Sequence, residues 1–196
     1  MLDFAPVRDG KLSFTDLTHN LTKTDLYRLT DEMIDTMQAI IADAKDEDVD
    51  FVPQDPAAND TFGIDEEKDL AWTLGHVIVH ATASSEESAA LAVTLARGLP
   101  VDGRSRYEVP WRTVHTVAQL RQRLAESRRM RRAFLDAWPD EPHLDTTYTP
   151  YPRLGPINAV TRFVLGLSHD DSHIEQLREI MRQARAQRNT AHVTNS

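Results

Sequence analysis

Leu167-Ser168-His169-Asp170-Asp171-Ser172-His173-Ile174-Glu175-Gln176 is the stretch on which the fold turns. Residues four apart on a helix point to one side, so His169, His173 and Gln176 share a face and both imidazoles converge on one spot. A second pair with this spacing, His76 and His80, lies in Trp72-Thr73-Leu74-Gly75-His76-Val77-Ile78-Val79-His80, and no other pair among the eight histidines has it. The expectation is that the two segments meet and hold a metal.

Working outward, Gly155-Pro156 closes a proline-rich connection over about 139–155 and puts proline at a first helical position, so a fourth helix is expected over roughly 156–187. Before it, Thr116-Val117-Ala118-Gln119 reads as a capping box that opens a third helix, which halts near residue 137 ahead of Pro139. The second helix is expected from about 69 to 97, stopped by Gly98 and Pro100, after which a turn-rich link contains Asp102-Gly103, Pro110 and Trp111. Its inner face reads Val77, His80, Ser84, Glu87, Leu91 and Leu95. Leu26, Leu29, Met33, Met37, Ile40, Ile41 and Ala44 recur at helical spacing and define a first helix over roughly 24–46, with Thr22 or Thr24 as its cap. Between the first two helices, residues 47–67 carry Pro53, Pro56, Asn59-Asp60 and Gly63 and read as a long ordered connection.

Four helical stretches without an alternating strand pattern make the fold class all-α, a four-helix bundle with long crossover loops; small β-pairings within the loops are compatible with it. The domain layout is an N-terminal arm at 1–21, packed on the body or partly mobile, a bundle at 22–187 and a polar, flexible C-terminal tail at 188–196.

Composition narrows the function. With 40% hydrophobic residues and no run of eighteen apolar positions, the chain reads as soluble, with no membrane span. Its first residues lack a basic region followed by an apolar stretch, which assigns it to the cytoplasm. Zero cysteines exclude disulfides, thiolate zinc sites, iron–sulfur clusters and a thiol nucleophile, leaving imidazole and carboxylate as metal ligands. Any thiol chemistry must use a thiol brought by a substrate. A net charge of −9, from 22 basic and 31 acidic residues, argues for no nucleic acid partner.

His80 lies about a dozen residues into its expected helix and His169 about as far into the last, roughly 18 Å each at about 1.5 Å per residue. Helices running parallel side by side would bring them to one level. Three neutral imidazoles suit a borderline divalent ion such as zinc, nickel or iron(II), and leave positions for water or substrate. The residues between His169 and His173 are Asp170-Asp171-Ser172, so the His-Glu-x-x-His metalloprotease motif is absent. The carboxylate-rich di-iron pattern also fails, because none of His76, His80, His169 and His173 has a glutamate three residues before it. Spacing supports no serine–histidine–acid set, and neither a glycine-rich phosphate loop nor a dinucleotide fingerprint occurs.

These residues resemble the DinB-like superfamily of four-helix-bundle metal proteins, which includes bacillithiol transferases and mycothiol-dependent maleylpyruvate isomerases. Trp72 and His80 match a tryptophan eight residues before a ligand histidine, and His169, His173 and Gln176 match a His-x-x-x-His-x-x-Gln pattern. The resemblance implies one ligand from the second helix and two from the fourth, with His80, His169 and His173 as the metal set. His76 departs from the simplest pattern and stands open as a fourth ligand, a substitute ligand or a group behind the ligands. The implied activity is metal-dependent activation of a low-molecular-weight thiol for transfer to, or isomerisation of, an electrophilic substrate.

Hydrolysis by a metal-bound water is the variant in which Glu87, seven positions beyond His80, takes a proton as catalytic base. Glu87 is equally read as a fourth ligand, an acceptor behind the ligands, or an inward glutamate paired with arginine. A non-catalytic metal- or small-ligand-binding bundle, and a purely structural bundle with core histidines, are the alternatives. Two exposed bundle faces are compatible with a homodimer. Asp170 falls in the apolar stripe and needs a partner, for which a histidine N–H is a candidate. The arginines of the third helix read as a solvated face opposite the acidic first helix. Arg131 is the exception, directed either to a substrate carboxylate or to an acid in the core. Trp72, Trp111, Trp138 and Phe163 read as core or loop anchors.

Overall fold

Side-chain caps begin each of the four long helices. Thr22 accepts from the Asp25 backbone N–H while the Asp25 carboxylate accepts from that of Thr22, a capping box that opens α1, Lys23–Ile40. Thr73 accepts from the His76 N–H and opens α2, Leu74–Ala96. Thr116 and Gln119 form the expected box at the start of α3, Val117–Asp136. The Asn158 carbonyl oxygen accepts from the Thr161 N–H at 3.1 Å at the start of α4, Ala159–Thr194. Each cap satisfies a donor that the first helical turn leaves over.

The structure, a computed structural model, describes residues 1–56, 58, 59, 68–101 and 110–194, without the side chains of 191–194. Asp60 and Gly63 of the first long connection, and Asp102-Gly103 of the turn-rich link, lie outside the described residues. The described residues are helical with no strand; one isolated antiparallel bridge joins Tyr148 and Ile157. That bridge moves the start of α4. Tyr148 and Ile157 exchange two backbone hydrogen bonds of 3.1 and 2.9 Å, which holds the chain extended just after Pro156, so the helix begins after Asn158 rather than at the proline. At its other end α4 continues to Thr194, beyond the expected limit at about 187. α2 begins at Leu74, later than expected, because Thr73 supplies its cap.

The stop of α2 is as expected. Gly98 has φ +73°, its N–H donates to the Leu95 carbonyl at 2.8 Å, and the Leu99 N–H donates to the Thr94 carbonyl at 3.1 Å. This bond pair is the Schellman ending, and the left-handed position at its centre favours glycine. A Cβ there would also press on the His143 ring at 3.1 Å.

α2 packs on α3 and α4, and α1 packs on the same two, so α1 faces α2 along one diagonal of the bundle. The pairings also fix direction. Trp72 meets His173, His80 meets His169, Ser85 meets Gly166 and Ser88 meets Arg162, so α2 ascends while α4 descends. The two helices are antiparallel, so the shared level of the histidines does not come from the parallel arrangement considered for them. α3 runs parallel to α2, since Gly75 lies against Val114 while Arg123 bonds to Thr82 and Glu86. The connection from α2 to α3 must therefore return along the whole bundle, about 33 Å for a helix of 23 residues. The length-spanning crossover is this one, rather than the two longer proline-rich connections.

Leu26, Ile34 and Met37 of α1, Leu74, Val77 and Ile78 of α2, Leu120 and Leu124 of α3, and Val164, Leu177 and Met181 of α4 form the core. α2 is buried on nearly every side from Leu74 to Ala89, as befits a helix with apolar or small residues all round. The first residues form two short helices, Ala5–Arg8 and Phe14–Thr18, which lie on the bundle. Phe4 is buried, the Thr18 and Thr161 hydroxyls are 2.7 Å apart, and Arg8 pairs with Asp171 at 2.6 Å. On α3, Arg128 pairs with Asp35 and Arg132 with Asp31, so the basic face is matched to the acidic α1. Among the described residues no helix is long and apolar enough to cross a membrane.

Candidate metal centre

The antiparallel pairing of α2 and α4 brings His80 up to both His169 and His173, with ring centroids 4.9 and 5.2 Å away. A ligand nitrogen from each of the three lies within 4.8 Å of the other two, and among the described residues this is the group that could hold a metal ion. The His80 and His169 Nε2 atoms are 3.1 Å apart. Two nitrogens each about 2.05 Å from one ion would be separated by roughly 2.9 to 3.4 Å for angles from square to tetrahedral, so this spacing fits a shared ion. Three borderline nitrogen donors suit the divalent ions expected from the sequence. All three histidines are partly buried, and three protein ligands would leave at least one position on a four-coordinate ion for water or substrate.

His173 is prepared for this role. Its Nδ1–H donates to the Gln176 Oε1 at 2.8 Å, which leaves Nε2 to ligate. Burial holds its pKa below the ordinary histidine value, opposed in part by the Gln176 hydrogen bond and aided to a lesser degree by the neighbouring His80. The neutral, metal-binding form is favoured.

Gly166, three residues before His169, sets how closely the ligand helices approach. A Cβ there would lie 2.7 Å from the Ser88 Cβ and 3.0 Å from the Ser85 Cα, and the Ser85 hydroxyl donates to the Gly166 carbonyl at 2.7 Å. Small residues at this crossing let α2 and α4 come together at the level where His80 must reach α4.

The partner of Asp170 is Arg131, not a histidine N–H. Arg131 Nη1 donates to the carboxylate at 2.5 Å and Nη2 reaches its other oxygen at 3.4 Å, while Nε donates to Ser127 at 3.0 Å. Both side chains are almost wholly out of water, 1% and 0% exposed. Burial pushes the Asp170 carboxyl upward, opposed by the guanidinium and by Ser85. Arg131 thus pairs with an acid in the core, and the ion pair joins α3 to α4 beside His169.

His76 stands outside the trihistidine group. Its ring lies between two indoles, 4.2 Å from Trp72 at 22° and 4.5 Å from Trp111 at 4°. Trp72 also meets His80 at 4.7 Å and stacks on His173 at 5.7 Å. The guanidinium of Arg112 lies 4.3 Å over Trp111. Trp138 and Phe163 are core residues and Trp72 and Trp111 pack partly buried against the core, as read from the sequence, while Trp72 also touches two of the three histidines. His76 and His80 are four apart on α2, but Trp72 precedes the cap Thr73 and Trp111 lies in a connection, so no helical periodicity places either indole. Glu87 is buried on α2, about 10 Å along the axis from His80. It is not among the three ligands.

A model of the DinB superfamily matches residues 29–177, more than half of the chain and all three histidines. No curated protein and no solved structure gives a significant match.

Proposed function

The chain belongs to the DinB superfamily, and from that membership we propose that it is a metal-dependent enzyme acting with a low-molecular-weight thiol, of the S-transferase or isomerase type. The observation that carries the reading is the meeting of His80, His169 and His173, with their ligand nitrogens within 4.8 Å and their rings partly open. His80, His169 and His173 would hold zinc, nickel or iron(II). Bound there, the ion would supply Lewis acidity that lowers the pKa of a thiol, as it does that of water. Gln176 keeps the His173 Nδ1 proton in place, so its Nε2 stays available. Glu87, read from the sequence as the base of a hydrolytic variant, lies about 10 Å along α2 from His80, out of reach of a group held at the three histidines, so we assign the thiol proton to solvent. The cytoplasm is the compartment we assign, since low-molecular-weight thiols are kept reduced there.

Purified protein is expected to carry about one divalent ion per chain by elemental analysis, and His173→Ala to lose it. Metal-loaded protein should couple a low-molecular-weight thiol to a chromogenic aryl halide faster than His173→Ala does. Protein that stays metal-free after reconstitution overturns the reading; loaded protein inert towards a panel of thiols overturns its catalytic part.

A further inference from the structure

Trp72 touches side chains from both ligand helices: His80 on α2, at 4.7 Å, and His173 on α4, at 5.7 Å. No other indole makes such a pair of contacts among the described residues. On its α2 side it also carries His76, which is in turn backed by Trp111. Trp111 carries the Arg112 guanidinium. Stacked rings thus run from an exposed cation in the α2–α3 connection to a candidate metal ligand.

We propose that Trp72 is a positioning residue that fixes the His80 and His173 imidazoles for the metal, and that His76 acts through Trp72 rather than as a ligand. The inference rests on the metal reading above. An imidazole on a helix can swing about two side-chain bonds, and an ion tolerates only about 0.2 Å of error in each ligand distance. For His173 the Gln176 hydrogen bond fixes the ring edge and the indole fixes its plane. The Trp72 contact restrains the His80 ring, which meets the indole at 60°.

His76 suits the role of a wedge. It is buried, and its ring is almost coplanar in orientation with Trp111, at 4°. Flat rings in such a sandwich are held by area and by ring quadrupoles, which any aromatic ring of similar size supplies. A ligand histidine would need its nitrogens; a wedge needs only its ring. The connection that brings Trp111 back along the bundle thereby supports the metal centre from behind.

The test separates ring from nitrogen. Metal affinity is measured by competition with a chromogenic chelator, using zinc and nickel ions, on variants whose circular dichroism matches that of the parent protein. His76→Phe keeps the stack and is expected to hold affinity within about threefold, whereas His76→Ala and Trp72→Leu should weaken it roughly ten- to a hundredfold, the usual effect of losing support behind a ligand. Trp72→Phe, the milder change, should fall between. Tryptophan fluorescence should be quenched by nickel in the parent protein, and the quenching should shrink in Trp72→Phe while Trp111 and Trp138 remain. Loss of metal by His76→Phe as complete as that by His173→Ala would make His76 a ligand and overturn the proposal. Unchanged affinity in Trp72→Leu would overturn it while leaving the metal reading intact. Parent protein that binds no ion would overturn both.

Discussion

Replacing Gly166 by alanine sets two known effects against each other. In a helix interior, alanine in place of glycine is worth about 1 kcal/mol of stability. Against this, the new Cβ would stand 2.7 Å from the Ser88 Cβ and 3.0 Å from both the Ser88 Oγ and the Ser85 Cα. The lower limit of ordinary contact is 3.4 Å, so the closest approach must open by about 0.7 Å. Turning the Ser88 side chain cannot achieve this, because its Cβ and the Ser85 Cα move only with α2. Overpacking of this kind costs about 1–3 kcal/mol, so the balance is a loss of about 1 kcal/mol, or about 3 °C for a chain of this size. The metal site should respond more sharply than the fold. The crossing lies within two turns of His80 and one turn of His169, and a separation of about 0.7 Å exceeds the roughly 0.2 Å tolerance of a metal–ligand distance. Thermal melts of metal-free protein and chelator competition on the same samples give both numbers. Affinity is expected to fall more than tenfold while the melting temperature moves by only a few degrees. Adding Ser88→Gly removes two of the three close contacts and should return part of the affinity. A Gly166→Ala protein as stable as its parent, with unchanged affinity, would refute the argument that this crossing sets the ligand spacing.

Asp170→Ala leaves the Arg131 guanidinium in the core without its carboxylate and is expected to cost about 3–5 kcal/mol in urea unfolding. The double change Arg131→Met with Asp170→Leu removes both charges and should recover most of that loss; a single variant losing under about 1 kcal/mol would contradict the burial of the pair. The Tyr27 hydroxyl is pushed up to about 12, by burial first and then by its hydrogen bond to Asp136. The folded chain therefore keeps a proton that an unfolded tyrosine gives up near pH ~10, so this contribution to stability is complete below ~10 and is lost as pH rises towards the folded value. An ultraviolet titration should show a late tyrosinate step whose amplitude falls by one tyrosine in Tyr27→Phe, and an unchanged amplitude in the variant would refute the assignment.

Helix ends were legible where the capping signature was read, and misplaced at Thr73 and Asn158, whose caps were not. Thr116 with Gln119 marks the start of α3 to the residue, and Gly98 marks the end of α2, because each position has a local chemical requirement that few residue types meet. Pro156 misled for the converse reason. Its fixed backbone angle suits a first helical turn, but the hydrogen bonds between Tyr148 and Ile157 are tertiary, and they hold the chain extended there. The relative direction of α2 and α4 was beyond sequence reading as well: counting residues from a helix start fixes depth only if the start and the direction are known, and the start of α2 lies later than expected.

The candidate site shows the same division between local and distant causes. His169, His173 and Gln176 were legible as one face because their spacing is a property of a single helix, and the Gln176 bond to His173 follows from it. What holds that face in place comes from other elements. Arg131 crosses from α3 to Asp170 beside the first ligand, Ser85 and Ser88 receive α4 at Gly166, and Trp72 leans on His173 from the segment before α2. Each of these supports meets α4 at a different residue, which restrains its rotation, its distance from α2 and the tilt of a ligand ring in turn. A short histidine motif becomes a metal-binding geometry only when those restraints coincide, so supporting residues far apart in the chain should reduce metal affinity by separable amounts. Paired substitutions at Gly166 and Trp72 should therefore multiply their separate losses in affinity, as expected for restraints that act on different degrees of freedom. A combined loss no larger than either alone would mean that both act on one motion of α4.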